Sequence, residues 1–393
     1  MNLTLTIGSK AKIQMSPVRW LLLILGIGGL ALMVIRLFTG LGVSSNLSDE
    51  WPWGLWIYLD LVFIAVAGCG FAINILTFIF KIHEFEKFAR QALLTSFLCY
   101  IFALLLLFVE IGRWDNFYWI FVSFAITSPL FEVAMCIVVY FILQAGEMFN
   151  AWLERYYPKG EFWRPIIKWL LPLILFLACI VPFGHQGSLG ALYLAMPTKL
   201  NVIWYSQFLP WGCLMSSLFG GICFFSLVNR ATMKRYGDVC ETASMGKLLK
   251  VAGGIMWVYI VIKVVEMAVR GAWAEVMTGS TEGIVFIVEL FIGVVLPAIM
   301  IFTPAAKCVK GQIAIGLLGT FGVFINRFAF IFVGMRDYAG VDYFPNFIEA
   351  GIAVGMACLL VLVYVLCLEN LPLYRCNHEE EFEVAVLPMD KED

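Results

Sequence analysis

The sequence predicts an all-α polytopic membrane protein with about ten transmembrane helices. Of the 393 residues, 62% are hydrophobic and only 14% are charged, and the mean hydropathy is +0.91. This composition leaves too little polar surface to cover a soluble globule. Spans of about 20 apolar residues fit the roughly 30 Å hydrocarbon core of a bilayer. Because the apolar runs are solid and do not alternate, they exclude a transmembrane β-barrel.

Ten apolar stretches follow one another between residues 17 and 368. The predicted spans are 17–38, 53–80, 92–110, 117–143, 166–184, 201–228, 248–268, 280–302, 311–333 and 347–368. The first stretch is long and lacks a small-residue cleavage site, so it is a retained span and not a signal peptide. Residues 1–16 form an N-terminal segment before it, and residues 369–393 form an acidic, solvated tail.

An internal repeat organises the spans into two bundles. The Pro-Trp-Gly motif at residues 52–54 opens the second span and recurs at residues 210–212, where it opens the sixth. With almost the same offset, Glu132 of the fourth span maps onto Glu289 of the eighth. We therefore expect two parallel four-helix bundles, about 53–184 and about 201–333, with the spans 17–38 and 347–368 flanking them. Repeat interfaces often carry binding sites in membrane proteins.

The basic residues predict the orientation, because loops rich in Lys and Arg stay in the cytoplasm. Nineteen of the 26 Lys and Arg residues fall in the termini and alternate connections, four fall in the opposite connections, and three lie inside spans. Both termini are therefore expected in the cytoplasm. Trp51 and the following Pro-Trp-Gly motif then mark the opposite, periplasmic boundary.

Three carboxylates inside or at the ends of the spans are the first functional candidates. An ionisable group in the hydrocarbon region is costly, so such an acid faces the protein interior or water and marks a functional site by default. Asp60 lies in the second span, Glu132 is predicted near the middle of the fourth, and Glu147 is predicted at its cytoplasmic end. Fifteen residues of helix separate the two glutamates by roughly 22 Å, which suits a proton route.

Two further polar groups have competing interpretations. In the seventh span, Lys263, Glu266 and Arg270 share one helix face near the outer surface, where Glu266 forms either part of a site or a structural ion pair. Tyr100 reaches mid-membrane depth in the third span and is either functional or a packed aromatic ring.

Histidine and cysteine usage argues against a metal cofactor in this chain. The three histidines are His83, His185 and His378, and no two of them lie on neighbouring spans as ligation of a transmembrane b-type haem requires. None of the eleven cysteines forms a Cys-x-x-Cys pair, which disfavours an iron-sulfur cluster. We predict no haem, no cluster and no other metal site. His185 is predicted at the outer end of the fifth span, either solvated or bonded to a quinone carbonyl.

The order and spacing of many short motifs resemble the NrfD/PsrC family of quinone-interacting membrane subunits, and most closely its Hyb-type members, which anchor a periplasmic [NiFe] hydrogenase. The resemblance runs almost from end to end. The motifs are Arg36-Leu37, Gly40-Leu41-Gly42, Pro52-Trp53-Gly54-Leu55-Trp56-Ile57, Asp60-Leu61, Gly112-Arg113, Asn116, Leu130-Phe131-Glu132, His185-Gln186, Ser188-Leu189-Gly190, Glu266, Arg270, Glu289, Arg327, Tyr343-Phe344-Pro345 and Glu349.

The resemblance implies a role in the bacterial cytoplasmic (inner) membrane. Menaquinone or ubiquinone would bind reversibly near the periplasmic surface, beside a ferredoxin-like iron-sulfur subunit that connects it to a catalytic subunit. The catalytic subunit expected first is a [NiFe] hydrogenase. The family's functional residues carry over to the following positions: Tyr100, Glu132 and His185 near the quinone, Arg90 and Glu147 on the cytoplasmic side, and Asp60, Arg113 and Glu266 by their match to the pattern.

Three alternatives stay open at this point. The same role could belong to a complex that handles polysulfide, nitrite or a multihaem cytochrome. Ten spans, repeats and intramembrane carboxylates are also ordinary in a proton-coupled secondary transporter. A passive anchor is the third. No stretch of the sequence is basic enough to indicate a nucleic-acid partner.

Overall fold

A computed structural model describes residues 3–7, 11–157, 163–236 and 241–373. Most of the predicted acidic tail, including His378, lies outside the described residues. The described chain is dominated by ten helices that are long and apolar enough to cross a membrane. They are α1 (Pro17–Thr39), α2 (Leu55–Ile79), α3 (His83–Glu110), α4 (Pro129–Tyr156), α5 (Trp169–Leu194), α6 (Leu209–Arg235), α7 (Thr242–Arg270), α8 (Thr281–Ile301), α9 (Val309–Ala339) and α10 (Phe347–Asn370).

Shorter elements precede and connect these helices. Two antiparallel strands, β1 (Leu3–Ile7) and β2 (Ala11–Met15), form a hairpin before α1, which the sequence reading did not anticipate. Wider π-helical turns interrupt α2, α8 and α9 at Ile75–Ile79, Val288–Val295 and Ala329–Val333. The connections hold short helices at Leu41–Ser44, Trp114–Asn116, Trp119–Val122, Trp273–Val276 and Pro304–Lys307.

The flanking helices α1 and α10 pack on each other through glycines. A Cβ atom added to Gly29 would lie 2.7 Å from the Cα atom of Gly355, so the two backbones are in contact where they cross. Small residues allow this close approach in membranes, where dispersion rather than hydrophobic burial holds helices together. At their far ends, Arg19 of α1 forms a salt bridge with Glu369 of α10. The beginning of the first helix and the end of the last therefore lie at the same end of the molecule.

The helices α2 and α6 cross at the centre of the molecule. A Cβ atom on Gly68 would lie 2.4 Å from the carbonyl oxygen of Ser217, and one on Gly221 would lie 2.4 Å from the amide nitrogen of Cys69. Around this crossing, one continuous apolar core includes side chains of α2 to α9. The centre of the molecule is therefore tightly packed, and the polar side chains discussed below lie within this packed region.

Several predicted span boundaries are wrong by eight residues or more, and two of these errors affect the candidate site. The fourth helix begins at Pro129 instead of residue 117, because the aromatic stretch before it forms short helices and a left-handed residue, Phe124, at φ 41°. Pro129 occupies the first turn of α4, where a missing amide proton costs nothing. The fifth helix continues through Pro182 to Leu194, ten residues beyond its predicted end.

Candidate functional site

A cluster of buried polar side chains lies where α2, α3 and α5 meet. Its members share a solvent exposure of 4% or less, and we call them the polar cluster: Asp60, Tyr100, His185, Gln186 and Tyr193. Each has at least one polar atom that finds no hydrogen-bond partner among the described residues. These atoms are Asp60 Oδ1, the Tyr100 and Tyr193 hydroxyls, both ring nitrogens of His185 and Gln186 Oε1.

Such a concentration of unpaired groups is unusual, because buried polar atoms in folded proteins nearly always have a partner. Leaving one unpaired costs roughly 1–3 kcal/mol. The cluster holds both donors and acceptors, so water or a bound molecule with carbonyl and hydroxyl groups would satisfy it. This chemistry fits the head group of a quinone or quinol.

Aromatic contacts connect the cluster across three helices. The Tyr100 ring centroid lies 5.8 Å from that of His185 and 4.8 Å from that of Tyr140 on α4, the latter in an edge-to-face arrangement. Gln186 donates a hydrogen bond of 3.0 Å to the carbonyl oxygen of Ile64, which fixes α5 against α2. The Asp60 carboxyl lies within electrostatic range of the Tyr100 and Tyr193 hydroxyls. The structure therefore brings Asp60, Tyr100 and His185 together.

The position predicted for His185 is wrong in one respect. Because α5 extends to Leu194, His185 lies within the helix and not at its end. Its side chain is fully buried and does not lie at an exposed interface. Pro182 precedes it by one turn and leaves a backbone carbonyl without its helical partner. Ser188 donates a hydrogen bond of 2.8 Å to the carbonyl oxygen of Gly184 in the next turn. The solvated interpretation of His185 is thereby excluded.

Glu132 also lies elsewhere than predicted. It occupies the first turn of α4 and is exposed, because the helix begins twelve residues later than the sequence indicated. Its carboxylate remains close to the polar cluster on the outside: a Cβ atom built on Gly184 would lie 3.9 Å from Glu132 Oε1. Gly184 directly precedes His185, so Glu132 lies at the rim of the cluster, between the surroundings of the protein and the buried imidazole.

From the polar cluster towards the C-terminal end of α4, one face of this helix carries polar groups in successive turns. Tyr140 contacts Tyr100, Gln144 donates a hydrogen bond of 2.6 Å to Ser96, and Glu147 lies beside Asn74 with its Oε1 unpaired among the described residues. Residues at these spacings share a helix face. These side chains lead from Glu147 towards Tyr100.

The contacts of Arg90 are structural, and they do not place it on the proposed path of protons. Its guanidinium forms a salt bridge of 2.9 Å with Glu154 of α4 and donates to the carbonyl oxygen of Pro372, also at 2.9 Å. It therefore ties α3 to α4 and to the end of the described chain.

Arg113 and Glu266 do not join the polar cluster. Arg113 is exposed and forms a salt bridge of 3.0 Å with Asp115, whose carboxylate raises the pKa of the guanidinium. Glu266 is bonded to Arg270 and lines a separate cleft between α6, α7 and α9, whose lining includes neither Asp60 nor His185. The structural ion-pair interpretation of Glu266 is therefore the one that the geometry supports.

A second set of buried charges lies next to the cluster and was assigned no role from the sequence. Both carboxylate oxygens of Glu110 are buried without a hydrogen bond of 3.5 Å or less to a described residue, the Gly54 backbone is the nearest polar group, and Arg36, Asp60 and Glu349 lie within electrostatic range. Glu349 accepts hydrogen bonds from the Asn46 and Asn346 amides and the Tyr343 hydroxyl. The available signal in the sequence was the position of Glu110 at the end of an apolar run.

Tyr343 connects this set to the Pro-Trp-Gly motif at the beginning of α2. Its hydroxyl accepts a hydrogen bond of 3.0 Å from the Leu55 amide and donates one to Glu349. Burial, reinforced by the Glu349 carboxylate, raises the pKa of Tyr343, so the hydroxyl remains a donor at neutral pH. Trp56 adds a hydrogen bond of 3.1 Å to the Glu349 carbonyl oxygen. These contacts fix α10 against α2 beside Asp60.

Within the described part of the chain, no three His, Cys, Asp or Glu side chains converge as metal ligands. The two described histidines are His83 and His185, which lie on different helices. His83 is exposed and forms a contact of 2.6 Å with Glu86.

Comparison with known sequences gives consistent relationships. The profile of the family described as "Polysulphide reductase, NrfD" matches residues 43–337. A protein of Nitratidesulfovibrio vulgaris (strain Hildenborough) is 30% identical over 357 residues, which cover 88% of this chain and 91% of the relative. The probable Ni/Fe-hydrogenase 2 b-type cytochrome subunit of Escherichia coli K12 is 25% identical, with 87% and 88% covered. The menaquinone reductase integral membrane subunit of N. vulgaris is 27% identical, with 85% and 86% covered.

Proposed function

This chain belongs to the NrfD family of polysulphide-reductase-type membrane proteins, and we propose that it is the quinone-interacting membrane subunit of a respiratory oxidoreductase. It exchanges electrons between an iron-sulfur partner and menaquinone or ubiquinone, which binds as an exchangeable substrate. The relative named as a menaquinone reductase subunit supports a quinone as the substrate.

The polar cluster is the observation that carries this proposal. Asp60, Tyr100 and His185 converge from three helices in the apolar core, and each has a polar atom without a partner among the described residues. A quinone head group offers two carbonyl oxygens, which accept hydrogen bonds from the imidazole and the phenol. A protonated Asp60 can donate to the same head group. The isoprenoid tail of the substrate matches the apolar surroundings.

Reduction of a quinone takes up two protons, and buried acids are suited to supply them. The proposed inner route leads from Glu147 along Gln144 and Tyr140 to Tyr100. Glu132 at the rim is the second proton-transferring group, and its carboxylate lies across the α4–α5 contact from Gly184, the residue before His185. If electrons and protons reach the quinone from opposite sides, each charge moved against 100 mV represents about 2.3 kcal/mol.

A [NiFe] hydrogenase is the partner that we propose first. The relative from E. coli is named as a hydrogenase 2 subunit, and it matches this chain over nearly its full length. A ferredoxin-like iron-sulfur subunit would connect the catalytic subunit to the quinone. The name of the menaquinone reductase relative supports the same electron-transfer role in a different complex as the second candidate. We propose that neither haem nor an iron-sulfur cluster resides in this chain.

The proposed location is the bacterial inner membrane, with both termini in the cytoplasm and the Trp51 end of the bundle at the periplasmic face. This orientation rests on the distribution of Lys and Arg, which is the same charge signal that orients membrane proteins in general. Residues 53–184 and 201–333 are proposed to act as two bundles, of which the first holds the quinone.

Purification of the intact complex in mild detergent tests the proposal. We expect an iron-sulfur protein to copurify and the complex to reduce a water-soluble dye and a quinone analogue. A quinone-site inhibitor should abolish only the second activity. A chain that purifies alone and transports a solute in liposomes would contradict the proposed function.

A further inference from the structure

A cleft in the second bundle combines cationic and apolar side chains. Residues of α6, α7 and α9 line it, together with the turn before α6. It is an open depression of about 470 Å³ when its mouth is counted, and its interior has a volume of about 30 Å³. Phe208 and Trp211 at the cleft are 47% and 58% exposed, so they face the surroundings of the protein. Met215 and Ile262 contribute apolar walls, and the charged lining consists of two cations, Lys263 and Arg327, and one carboxylate, Glu266.

Neither cation in this cleft has a carboxylate in direct contact. Arg327 is 2% exposed and bonds to the neutral oxygens of Asn326 and Ser216, the latter at 2.9 Å. Lys263 makes no hydrogen bond and no salt bridge with a described residue, and its ammonium lies 5.7 Å from the centroid of the Phe286 ring. A cation in an apolar environment without a counter-ion is costly.

The neighbouring acids are already engaged. Glu266 binds Arg270, which also donates to the carbonyl oxygens of Val202 and Tyr205 at 2.7 Å. Glu289 accepts hydrogen bonds from the Trp204 indole at 2.9 Å and from the Asn326 amide at 2.7 Å. Lys263 is coupled to these two carboxylates only through longer-range electrostatics.

The charges of this region do not balance in their ordinary forms. Three cations, Lys263, Arg270 and Arg327, face two carboxylates, Glu266 and Glu289, which leaves one positive charge without a partner among the described residues. A bound group with a single negative charge would neutralise it. A phosphodiester carries one negative charge, and charge-assisted bonds to phosphate are among the strongest that Lys and Arg form.

The depth of the cleft matches a lipid head group. Lys263 precedes Arg270, the last residue of α7, by seven residues, which places it about 10 Å along the helix from that end. Long basic side chains at this depth extend towards the interface, and tryptophan is typical of the same zone. We propose that this cleft binds the phosphodiester head group of an anionic phospholipid, with the acyl chains lying outside against Phe208 and Trp211.

The test uses the complete chain, purified with its copurifying subunits and stripped of lipid in detergent. Binding is measured by native mass spectrometry during titration with phosphatidylglycerol, phosphatidylcholine or inorganic phosphate. Replacing Lys263 with glutamine (K263Q) should weaken phosphatidylglycerol binding by at least about tenfold, as expected for the loss of one charge-assisted contact. Lys263→Arg keeps the charge and should retain binding.

The matched control is Lys250→Gln on the same helix, at an exposed position near its other end. This variant should bind phosphatidylglycerol as the wild type does. Three results would each overturn the lipid site. The first is phosphatidylcholine binding as tightly as phosphatidylglycerol, the second is inorganic phosphate binding as tightly as phosphatidylglycerol, and the third is an unchanged affinity for phosphatidylglycerol in K263Q. Displacement of the bound lipid by a quinone analogue would overturn it as well. None of these results bears on the polar cluster of the first bundle, because the two sites share no residue.

Discussion

The ring of Tyr100 on α3 lies 5.8 Å from the ring of His185 on α5, centroid to centroid, at an interplanar angle of 49°. Neither the Tyr100 hydroxyl nor either nitrogen of His185 makes a hydrogen bond of 3.5 Å or less with a described residue, although both side chains are fully buried. Their nearest polar neighbours are the Gln186 side chain and the Val133 backbone, respectively. Two helices thus direct polar atoms into one small apolar region. This relationship links the packing of α3 against α5 to the proposed substrate.

Replacing His185 with leucine should abolish most of the quinone-linked activity and preserve dye-linked activity. The expected fall is about tenfold or more, because an unpaired polar atom on the bound substrate costs roughly 1–3 kcal/mol. The two activities are measured on the same purified complex. His83→Leu is the matched control, since His83 is exposed and bonded to Glu86. A parallel loss of both activities in the His185 variant would indicate a folding role instead.

The Glu132→Gln variant should transfer electrons to dyes normally and lose quinone-linked turnover by about 10²–10⁴, the usual contribution of a general acid or base. The side chain is exposed at the beginning of α4, so the isosteric amide should leave the fold unchanged. Steady-state quinone reduction provides the measurement, with Glu50→Gln as the control at another exposed acid. Normal quinone reduction in the Glu132 variant would remove this residue from the proton route.

The contact between α1 and α10 makes a prediction about stability. A leucine at Gly29 would meet the backbone of Gly355, where even a Cβ atom would lie 2.7 Å from the Cα atom. Overpacking of this kind costs typically 1–3 kcal/mol, so the thermal midpoint in detergent should fall. A Cβ atom on Gly28 meets nothing within 4 Å, and Gly28→Leu should leave the midpoint unchanged. Equal midpoints for the two variants would show that the helices do not cross at Gly29.

The orientation can be tested with a natural thiol. Cys308 is exposed in the connection between α8 and α9, beside the basic residues Lys307 and Lys310. In a background with Cys240 and Cys376 changed to serine, a membrane-impermeant maleimide should label Cys308 in inverted membrane vesicles and not in right-side-out vesicles. Labelling only in right-side-out vesicles would place both termini in the periplasm.

Helix number and type were predictable because each span is a long apolar run, and the ten runs correspond to the ten membrane-length helices of the described chain. Residues 117–128 were misassigned, since a hydropathy pattern cannot distinguish a run of interfacial aromatic rings from the beginning of a span. That error placed Glu132 in mid-membrane, and the early end assigned to the fifth span left Tyr193 unnoticed.

Contacts between segments that are distant in the sequence were harder to predict. The convergence of Asp60, Tyr100 and His185 was expected from the family resemblance, whereas their separation from Glu266 depends on how α7 packs against α6 and α9. The sequence position of a charged residue near the end of a span does not reveal which neighbouring helices its side chain contacts. The burial of Glu110 next to Arg36 and Glu349 likewise depends on the packing of α10 against α2 and α3.

Photoaffinity labelling with an azido-quinone tests whether the quinone binds at the polar cluster. The complete complex is illuminated with the probe, digested, and mapped by mass spectrometry. We expect labels to concentrate on the segments of α2, α3 and α5 around Asp60, Tyr100 and His185, and we expect excess menaquinone to suppress this labelling. Labels confined to the cleft around Lys263 and Arg327, with the first bundle unmodified, would contradict it.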